Sequence, residues 1–289
     1  MNKKTFLLTG TSGFIGYNFL EYILSKKHSV IDVLRIKNKH NIKLNQLKRK
    51  YSQNYKTIYF KDYKELKKKI KNIKIDFFIN FATMYKNNHK HDDIFHFINS
   101  NILFPTLMYD LVSNKVKKII NFGSMMQYNN SKLASQNLYA ATKSAFEMIN
   151  DYYLLQTKAH FYNLKLYESY GKNDNRKKLI PTIIKNYHLN KITKILSNKL
   201  ELNIIHINDI IKAIMLLLDG NVKSGSYCLK QNKNIKIKEL IDTLNKRLKK
   251  KIKVKYDNKQ IEKINKTTIK ILPKWYPNKN LIKEISSNF

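Results

Sequence analysis

The chain has 289 residues, enough to bury a substantial core either as one large α/β unit or as a nucleotide-binding lobe carrying a smaller lobe. Its 43% apolar content is that of a globular protein, the longest apolar run (Ile210 to Leu218) is broken by Lys212 and too short to span a bilayer, and the single cysteine, Cys228, supports neither a disulfide framework nor a zinc site. A formal charge of +36 would ordinarily raise nucleic acid or an anionic membrane as a partner, but lysine is scattered through nearly every segment and arginine is confined to Arg35, Arg49, Arg176 and Arg247, a pattern that an AT-rich coding sequence produces with no function attached. No membrane partner is expected, and because the N-terminus enters a strand at once instead of a secretory leader, a cytoplasmic protein is expected.

Phe6-Leu7-Leu8 reads as a short buried strand, and Tyr17 to Leu24 as a helix. Between them lies Thr9-Gly10-Thr11-Ser12-Gly13-Phe14-Ile15-Gly16, a glycine-rich turn from strand into helix. Such a turn is a phosphate cradle: the first glycine permits the tight turn, the second lets backbone approach a pyrophosphate, the third lets helix pack on strand, and the helix N-terminus offers N–H groups to the anion. Further strands are expected at residues 29–35, 57–60, 76–81 and 117–122, and helices at 65–73, 94–112 and 139–155. This alternation predicts an α/β protein with a doubly wound parallel sheet and a ligand crevice beyond the carboxyl ends of its strands. From residue 164 the elements shorten, with small strands near 164–166, 202–207 and 227–229, helices near 180–189, 210–218 and 237–248, a basic edge strand at 249–256 and a final segment at 273–285. Residues 1–165 are therefore expected to bind the dinucleotide, and residues 166–289 to form a smaller α/β substrate lobe partly interwoven with them.

Ser124 closes the strand that ends Asn121-Phe122-Gly123, and fifteen residues later Tyr139-Ala-Ala-Thr-Lys143 opens a helix. Both would stand at the same crevice as the glycine loop. A tyrosine and a lysine four apart share a helix face, so an ammonium there is expected to depress the phenol's pKa, while Ser124 polarises the same substrate oxygen.

With these motifs in place the chain resembles the extended short-chain dehydrogenase/reductase family, in its nucleotide-sugar epimerase/dehydratase/reductase branch, nearly end to end. That resemblance implies a Rossmann fold, catalysis by Ser124, Tyr139 and Lys143, and a homodimer formed through the helices at 94–112 and 139–155. It implies a cofactor held by Gly10, Ser12, Gly13, Phe14, Ile15 and Gly16, by Asp62 at the adenine, by Phe81, Ala82 and Thr83 in a segment like the family's H-L-A-A, by Asn101, and by Tyr139 and Lys143. It places Thr83, Ser124, Met125, Tyr139, Glu168, Lys178, Leu179 and His206 around a nucleotide-sugar substrate that is CDP-, dTDP- or GDP-linked. Tyr170-Gly171, Lys178-Leu-Ile-Pro181, His206-Ile-Asn-Asp209 and Trp275-Tyr-Pro277 resemble further family segments.

The departures narrow the reading. Met125 and Met126 stand where the branch's dehydratases carry an acid pair, and thioethers cannot move protons. The second strand ends in Arg35, with Lys37 and Lys39 behind it, where NAD-preferring members have an aspartate, so NADP(H) is expected over NAD(H); Asp32, inside the strand, is the poorer candidate for a ribose ligand. Leu202 replaces an arginine that clamps the substrate pyrophosphate, leaving Arg176, Lys178 or Lys185 to take its place. The expected function is reduction of a nucleotide-activated 4-keto-6-deoxy sugar in deoxysugar or surface-glycan synthesis. The alternatives are an NAD-retaining nucleotide-sugar 4-epimerase and a non-catalytic Rossmann-like RNA-binding protein, the last of which predicts broken catalytic residues and clustered basic charge.

Overall fold

The computed structural model describes residues 2–129, 132–172, 174–257 and 269–289. Its centre is a seven-stranded sheet, every neighbouring pair parallel, whose strands we number along the chain: β1 (Thr5–Thr9), β2 (Ser29–Arg35), β3 (Tyr55–Phe60), β4 (Phe77–Asn80), β5 (Lys118–Ser124), β6 (His160–Leu166) and β7 (Gly225–Leu229). The spatial order is β7-β6-β5-β4-β1-β2-β3. This is the doubly wound arrangement with its switch point between β1 and β4, so the glycine loop after β1 opens into the crevice where the strand order reverses. The last strand comes from residues 225–229, well past the expected boundary at 165, so the two lobes share the sheet.

Parallel strands are buried on both faces, and alternate residues of β1 divide accordingly. Phe6 and Leu8 pack on one side with Phe19, Leu20 and Ile23 of α1 (Phe14–Ser25) and with Ile210, Ile214 and Leu217 of the helix at Ile207–Asp219. Leu7 packs on the other side with Leu66 and Ile70 of the helix at Tyr63–Ile70, with Met108 and Val112, and with Phe146. Each such side chain is worth roughly 1.5–3 kcal/mol of burial. A third core, around Ile180, Ile183, Tyr187, Leu240, Ile241 and Leu244, belongs to the C-terminal lobe, whose short strands pair as residues 168–170 with 204–206, 193–195 with 254–256, and 201–202 with 235–236. Among the described residues no helix is long and apolar enough to cross a membrane.

Three local features differ from expectation. A helix at Ile42–Lys50 was not anticipated, because Leu44 and Leu47 alone are buried in an otherwise lysine-rich stretch. The helix expected at 94–112 is interrupted: Asp93–Ile98 and Phe104–Val112 flank a π turn at Asn99–Leu103. Pro105 lies in the first turn of the second half and has no N–H to give the carbonyl four residues back, which is Asn101, so the ladder widens there. The basic edge strand shrinks to Val254–Tyr256.

A row of polar side chains crosses the sheet, from the carboxyl ends of β1 and β4 through the middle of β5 and β6. Thr9, Asn80, Asn121, Asn163 and Ser226 occupy matched register positions on β1, β4, β5, β6 and β7. Thr9 Oγ1 donates to Asn80 Oδ1 (2.7 Å), Asn80 Nδ2 to Asn121 Oδ1 (2.9 Å) and Asn121 Nδ2 to Asn163 Oδ1 (3.3 Å). The row ends on Glu147 of the helix Leu138–Gln156, which accepts from Asn163 Nδ2 and, at 3.4 Å, from Ser226 Oγ.

Candidate active site

The glycine loop makes its turn through Gly10 at φ 73°, left-handed backbone that favours glycine. A Cβ at Gly10 would lie 2.3 Å from the Ala82 nitrogen, and one at Gly16 would lie 2.5 Å from the Gly10 carbonyl oxygen. The loop is thus pressed against the strand end at Phe81–Ala82, and α1 begins at Gly13 with no side chain capping its N-terminus. Bare backbone at a helix start is what a pyrophosphate requires, so these residues fit a dinucleotide.

Two cavities meet at this loop, both lined by Gly10, Gly13, Phe81 and Thr83. One runs toward β2, walled by Ser12, Val33, Leu34, Arg35, Ala82, His96 and Ser100. Arg35 donates from Nη2 to the Ser100 hydroxyl there. Asp32 is fully buried beneath, accepting from Thr11 Oγ1 (2.5 Å) and Tyr55 OH (2.7 Å), and burial pushes its carboxyl up to about 7. It reaches neither cavity, so Arg35 is the charged group at that strand end. Lys39 is exposed beyond it, and the side chain of Lys37 lies outside the described residues.

The other cavity runs over the ends of β5 and β6 and brings together Phe14, Ile15, Ser124, Tyr139, Lys143, Glu168 and Lys178. Ser124 ends β5 and caps the single turn Met125–Gln127, its Oγ accepting from the Met126 N–H at 3.2 Å. Tyr139 and Lys143 lie on the first turns of the helix Leu138–Gln156, which starts on the Asn137 cap. Burial holds the Tyr139 phenol well above its ordinary value, with the neighbouring Tyr85 adding to the effect and a side-chain hydrogen bond to Ser124 opposing it. Burial also brings Lys143 down to about 8, against the pull of Glu147. The expected depression of the phenol by the lysine is therefore corrected: low polarity acts on both groups, keeping the phenol protonated and weakening the ammonium.

Tyr85 meets Tyr139 edge to face, ring centroids 4.9 Å apart at 84°. Lys178 Nζ lies 4.6 Å from the Tyr85 centroid and donates at 3.1 Å to each oxygen of Glu168. Arg176 sits 4.3 Å over the Phe14 ring, tied to Asp174 and to Ser169. Tyr85, Met126, Tyr167 and Arg176 complete the wall. An aromatic five residues past the end of β4 was the sequence signal for Tyr85.

Other expected site residues stand elsewhere. Asp62 caps the helix Tyr63–Ile70 by accepting from the Glu65 N–H (2.9 Å) and lines neither cavity. Asn101, on the π turn, holds the cofactor wall instead of forming it: it accepts from Thr83 Oγ1 and the Met84 N–H and donates to the Met84 carbonyl and Thr142 Oγ1. Met125 turns into the core against Cys228, sulfur to sulfur 3.7 Å, and Met126 takes its place on the cavity, because the single turn after Ser124 reverses which residue faces out. Leu179 packs in the C-terminal core, while His206 is buried, capping the helix Ile207–Asp219 through the Asn208 N–H and lying edge-on to Tyr170. Lys185 lies in the last turn of its helix, away from both cavities. No cluster of metal-ligating side chains occurs among the described residues.

A glycine cradle leading to a Ser/Tyr/Lys constellation, with Ser124 and Lys143 buried and Tyr139 half-buried, defines a dinucleotide-dependent oxidoreductase. A family model, the NAD dependent epimerase/dehydratase family, matches residues 6–228, and the chain belongs to that family; it is an NAD(P)-dependent nucleotide-sugar enzyme. Among curated relatives, CDP-abequose synthase of Yersinia pseudotuberculosis is 29% identical over 224 residues, covering 76% of this chain and 75% of the relative. CDP-abequose synthase of Salmonella typhimurium is 25% identical over 235 residues (78% and 73%). Two solved structures share the fold. UDP-N-acetylglucosamine 4-epimerase from Methanobrevibacter ruminantium, in complex with UDP-N-acetylmuramic acid, has TM-score 0.83 and 19% identity over 100% of this chain and 97% of the other. dTDP-glucose 4,6-dehydratase from Bacillus anthracis, in complex with NAD, has TM-score 0.82 and 19% identity (99% and 95%).

Proposed function

We propose that this enzyme is an NADP(H)-dependent reductase of a nucleotide-activated 4-keto-6-deoxy sugar, acting in deoxysugar or surface-glycan biosynthesis. The observation that carries the reading is the Met125–Met126 pair after Ser124: elimination of water needs groups that exchange protons beside the sugar, and here one thioether is buried against Cys228 and the other lines the cavity. Resemblance to synthases named for a CDP-linked sugar supports the same reading.

When bound, the reduced nicotinamide would supply hydride to the C4 carbonyl carbon. The chain's own residues supply the rest. Tyr139, kept protonated by burial, delivers a proton to the carbonyl oxygen, and Ser124 donates a hydrogen bond to that oxygen as charge develops on it. Lys143 holds the nicotinamide ribose, and Arg176 and Lys178 face the substrate's diphosphate. Glu168, paired with Lys178, reads a sugar hydroxyl.

Arg35 at the mouth of the cavity toward β2, with Asp32 buried and engaged, supports NADP(H) through its 2′-phosphate. Arg35→Ala should raise the KM for NADPH about 10- to 100-fold, the worth of a charge-assisted hydrogen bond, and leave that for NADH little changed. Steady-state kinetics with both cofactors checks this, and equal effects on the two would remove the 2′-phosphate contact.

Purified protein should oxidise NADPH only when a CDP- or dTDP-4-keto-6-deoxy sugar is supplied. Stoichiometric NAD released by denaturation, together with interconversion of 4-epimers, would instead establish the epimerase. A homodimer is also part of the reading, supported by exposed Phe95 and Ile98 on one helix and Met148, Tyr152 and Leu155 on the helix Leu138–Gln156. Sedimentation equilibrium should give twice the chain mass, and a monomer at micromolar concentration would reject it.

A further inference from the structure

Ser124 and the Tyr139/Lys143 helix come from different elements, yet one half-buried carboxylate, Glu147, touches the supports of both. Gln127, fully buried, accepts the Ser124 N–H through Oε1 at 2.8 Å and donates through Nε2 to Glu147 Oε2 at 2.6 Å. Glu147 lies one helical turn beyond Lys143. Besides Gln127 it accepts from Lys165 Nζ (2.7 Å), from Asn163 at the end of the amide row and from Ser226. Lys165 in turn bonds the Tyr128 hydroxyl and is almost wholly buried, its side chain 1% exposed, so its charge depends on Glu147 for compensation. Gly123 leaves the space this arrangement needs, since a Cβ there would lie 2.8 Å from Gln127 Oε1.

We propose that Gln127, held by Glu147, is a positioning residue for Ser124, fixing the end of β5 against the helix that carries Tyr139 and Lys143. Neither Gln127 nor Glu147 lines the catalytic cavity, so both act through others. The bond from Gln127 to the Ser124 N–H, with Ser124 Oγ accepting from the Met126 N–H, is a reciprocal cap that could serve a single turn for local reasons alone. A local cap, however, leaves the far end of Gln127 free. Here that end is bonded across to the catalytic helix, on a carboxylate whose other donors come from β6 and β7. The spacing between the Ser124 hydroxyl and the Tyr139 phenol is thereby set by side-chain bonds between the two elements. A donor misplaced by a fraction of an ångström loses most of its effect on a developing oxyanion, which gives such bracing a catalytic consequence.

The inference rests on Ser124 acting as the hydrogen-bond donor proposed above, and a double-mutant cycle tests it separately. Gln127→Met keeps the volume and removes all three side-chain bonds, to the Ser124 N–H, to Glu147 and to the Ser144 hydroxyl of the same helix; it should lower kcat about tenfold with KM values within about twofold of wild type. In a Ser124→Ala background, where the supported group is gone, Gln127→Met should cause no further loss. Glu147→Gln removes the charge that compensates Lys165, so it should lower thermal stability as well as kcat, and its kcat loss should shrink in that background. The cycle is run on whichever turnover wild type shows, ketosugar reduction or 4-epimerisation, so a failed reductase reading leaves the coupling measurable. Wild-type kcat in Gln127→Met, or an undiminished loss on top of Ser124→Ala, overturns the proposal. So does a crystal structure of Gln127→Met in which Ser124 keeps its position and rotamer, a readout independent of activity.

Discussion

Tyr139→Phe should lower kcat for ketosugar reduction by about 10²–10⁴-fold, the range a positioned general acid supplies, while cofactor affinity and thermal stability stay close to wild type. The ring keeps its edge-to-face packing on Tyr85, so only the proton and the bond to Ser124 are lost. Direction matters for the pH profile. The phenol is raised by burial and stays protonated through the neutral and mildly alkaline range, so it is not the group that ends activity as pH rises. Lys143, brought down to about 8, is. Above that pH it loses its charge, and the alkaline limb of kcat/KM should fall near pH 8 for the free enzyme. In Lys143→Met the residual activity should show no limb there. A Tyr139→Phe enzyme within about tenfold of wild type would remove the phenol from the proton-transfer step.

Gly10→Ala should abolish measurable cofactor binding and lower stability by on the order of 3 kcal/mol or more, roughly 10 °C in Tm for a chain this size. Two costs add. The residue must hold φ 73°, and its new Cβ would lie 2.3 Å from the Ala82 nitrogen and 2.4 Å from the Phe81 carbonyl carbon, backbone atoms that cannot swing aside. Relief requires the loop to lift from the end of β4, widening the gap over which both cavities are built. Thermal melts with and without NADPH check this, and a variant that still gains stability from the cofactor would show that the loop tolerates the shift. Gly13→Ala is the control for the stability loss alone, since its Cβ would meet only the Gly10 carbonyl oxygen at 3.3 Å within the protein, although it stands in the cradle itself.

What the sequence revealed and what it concealed separate along physical lines. The glycine turn, the strand-helix rhythm and the Ser124, Tyr139, Lys143 spacing were legible because each is a local signal whose partners lie within one element or one βα unit. The direction in which Met125 and Met126 face was not, since it turns on one 3₁₀ turn. Asp62 and His206 look like ligands in a string of letters, whereas in the structure each accepts a backbone N–H as a helix cap and lines neither cavity, which a sequence cannot show without the backbone they bond. Asn101, expected at the cofactor, lines neither cavity and grips Thr83 and Met84 from a π turn that no apolar periodicity announces. Glu147 and Gln127 were missed entirely: each looks like a solvent-facing polar residue until β6, β7 and the turn after β5 meet on the helix Leu138–Gln156. The titration of Tyr139 was misjudged because spacing reports proximity to a cation and is silent about desolvation, which here is the larger influence.

The polar row across the sheet also bears on how the chain finds one alignment of its strands. β1, β4 and the middle of β5 are otherwise phenylalanine, leucine and isoleucine buried on both faces, so the polar positions carry much of what distinguishes one register from its neighbour. Sliding β5 by one residue would set Ile120 or Phe122 against Asn80 and Asn163 and strand their amides in an apolar interior, at about 1–3 kcal/mol for each group left without a partner. Because every amide in the row bonds the next, the penalty falls on several strands together. The row is thus a key cut into an oily sheet: it makes strand alignment close to all-or-none, and the alignment it selects is the one that sets Thr9, Asn80 and Asn121 level and carries Ser124 three residues beyond them, out to the mouth of the crevice.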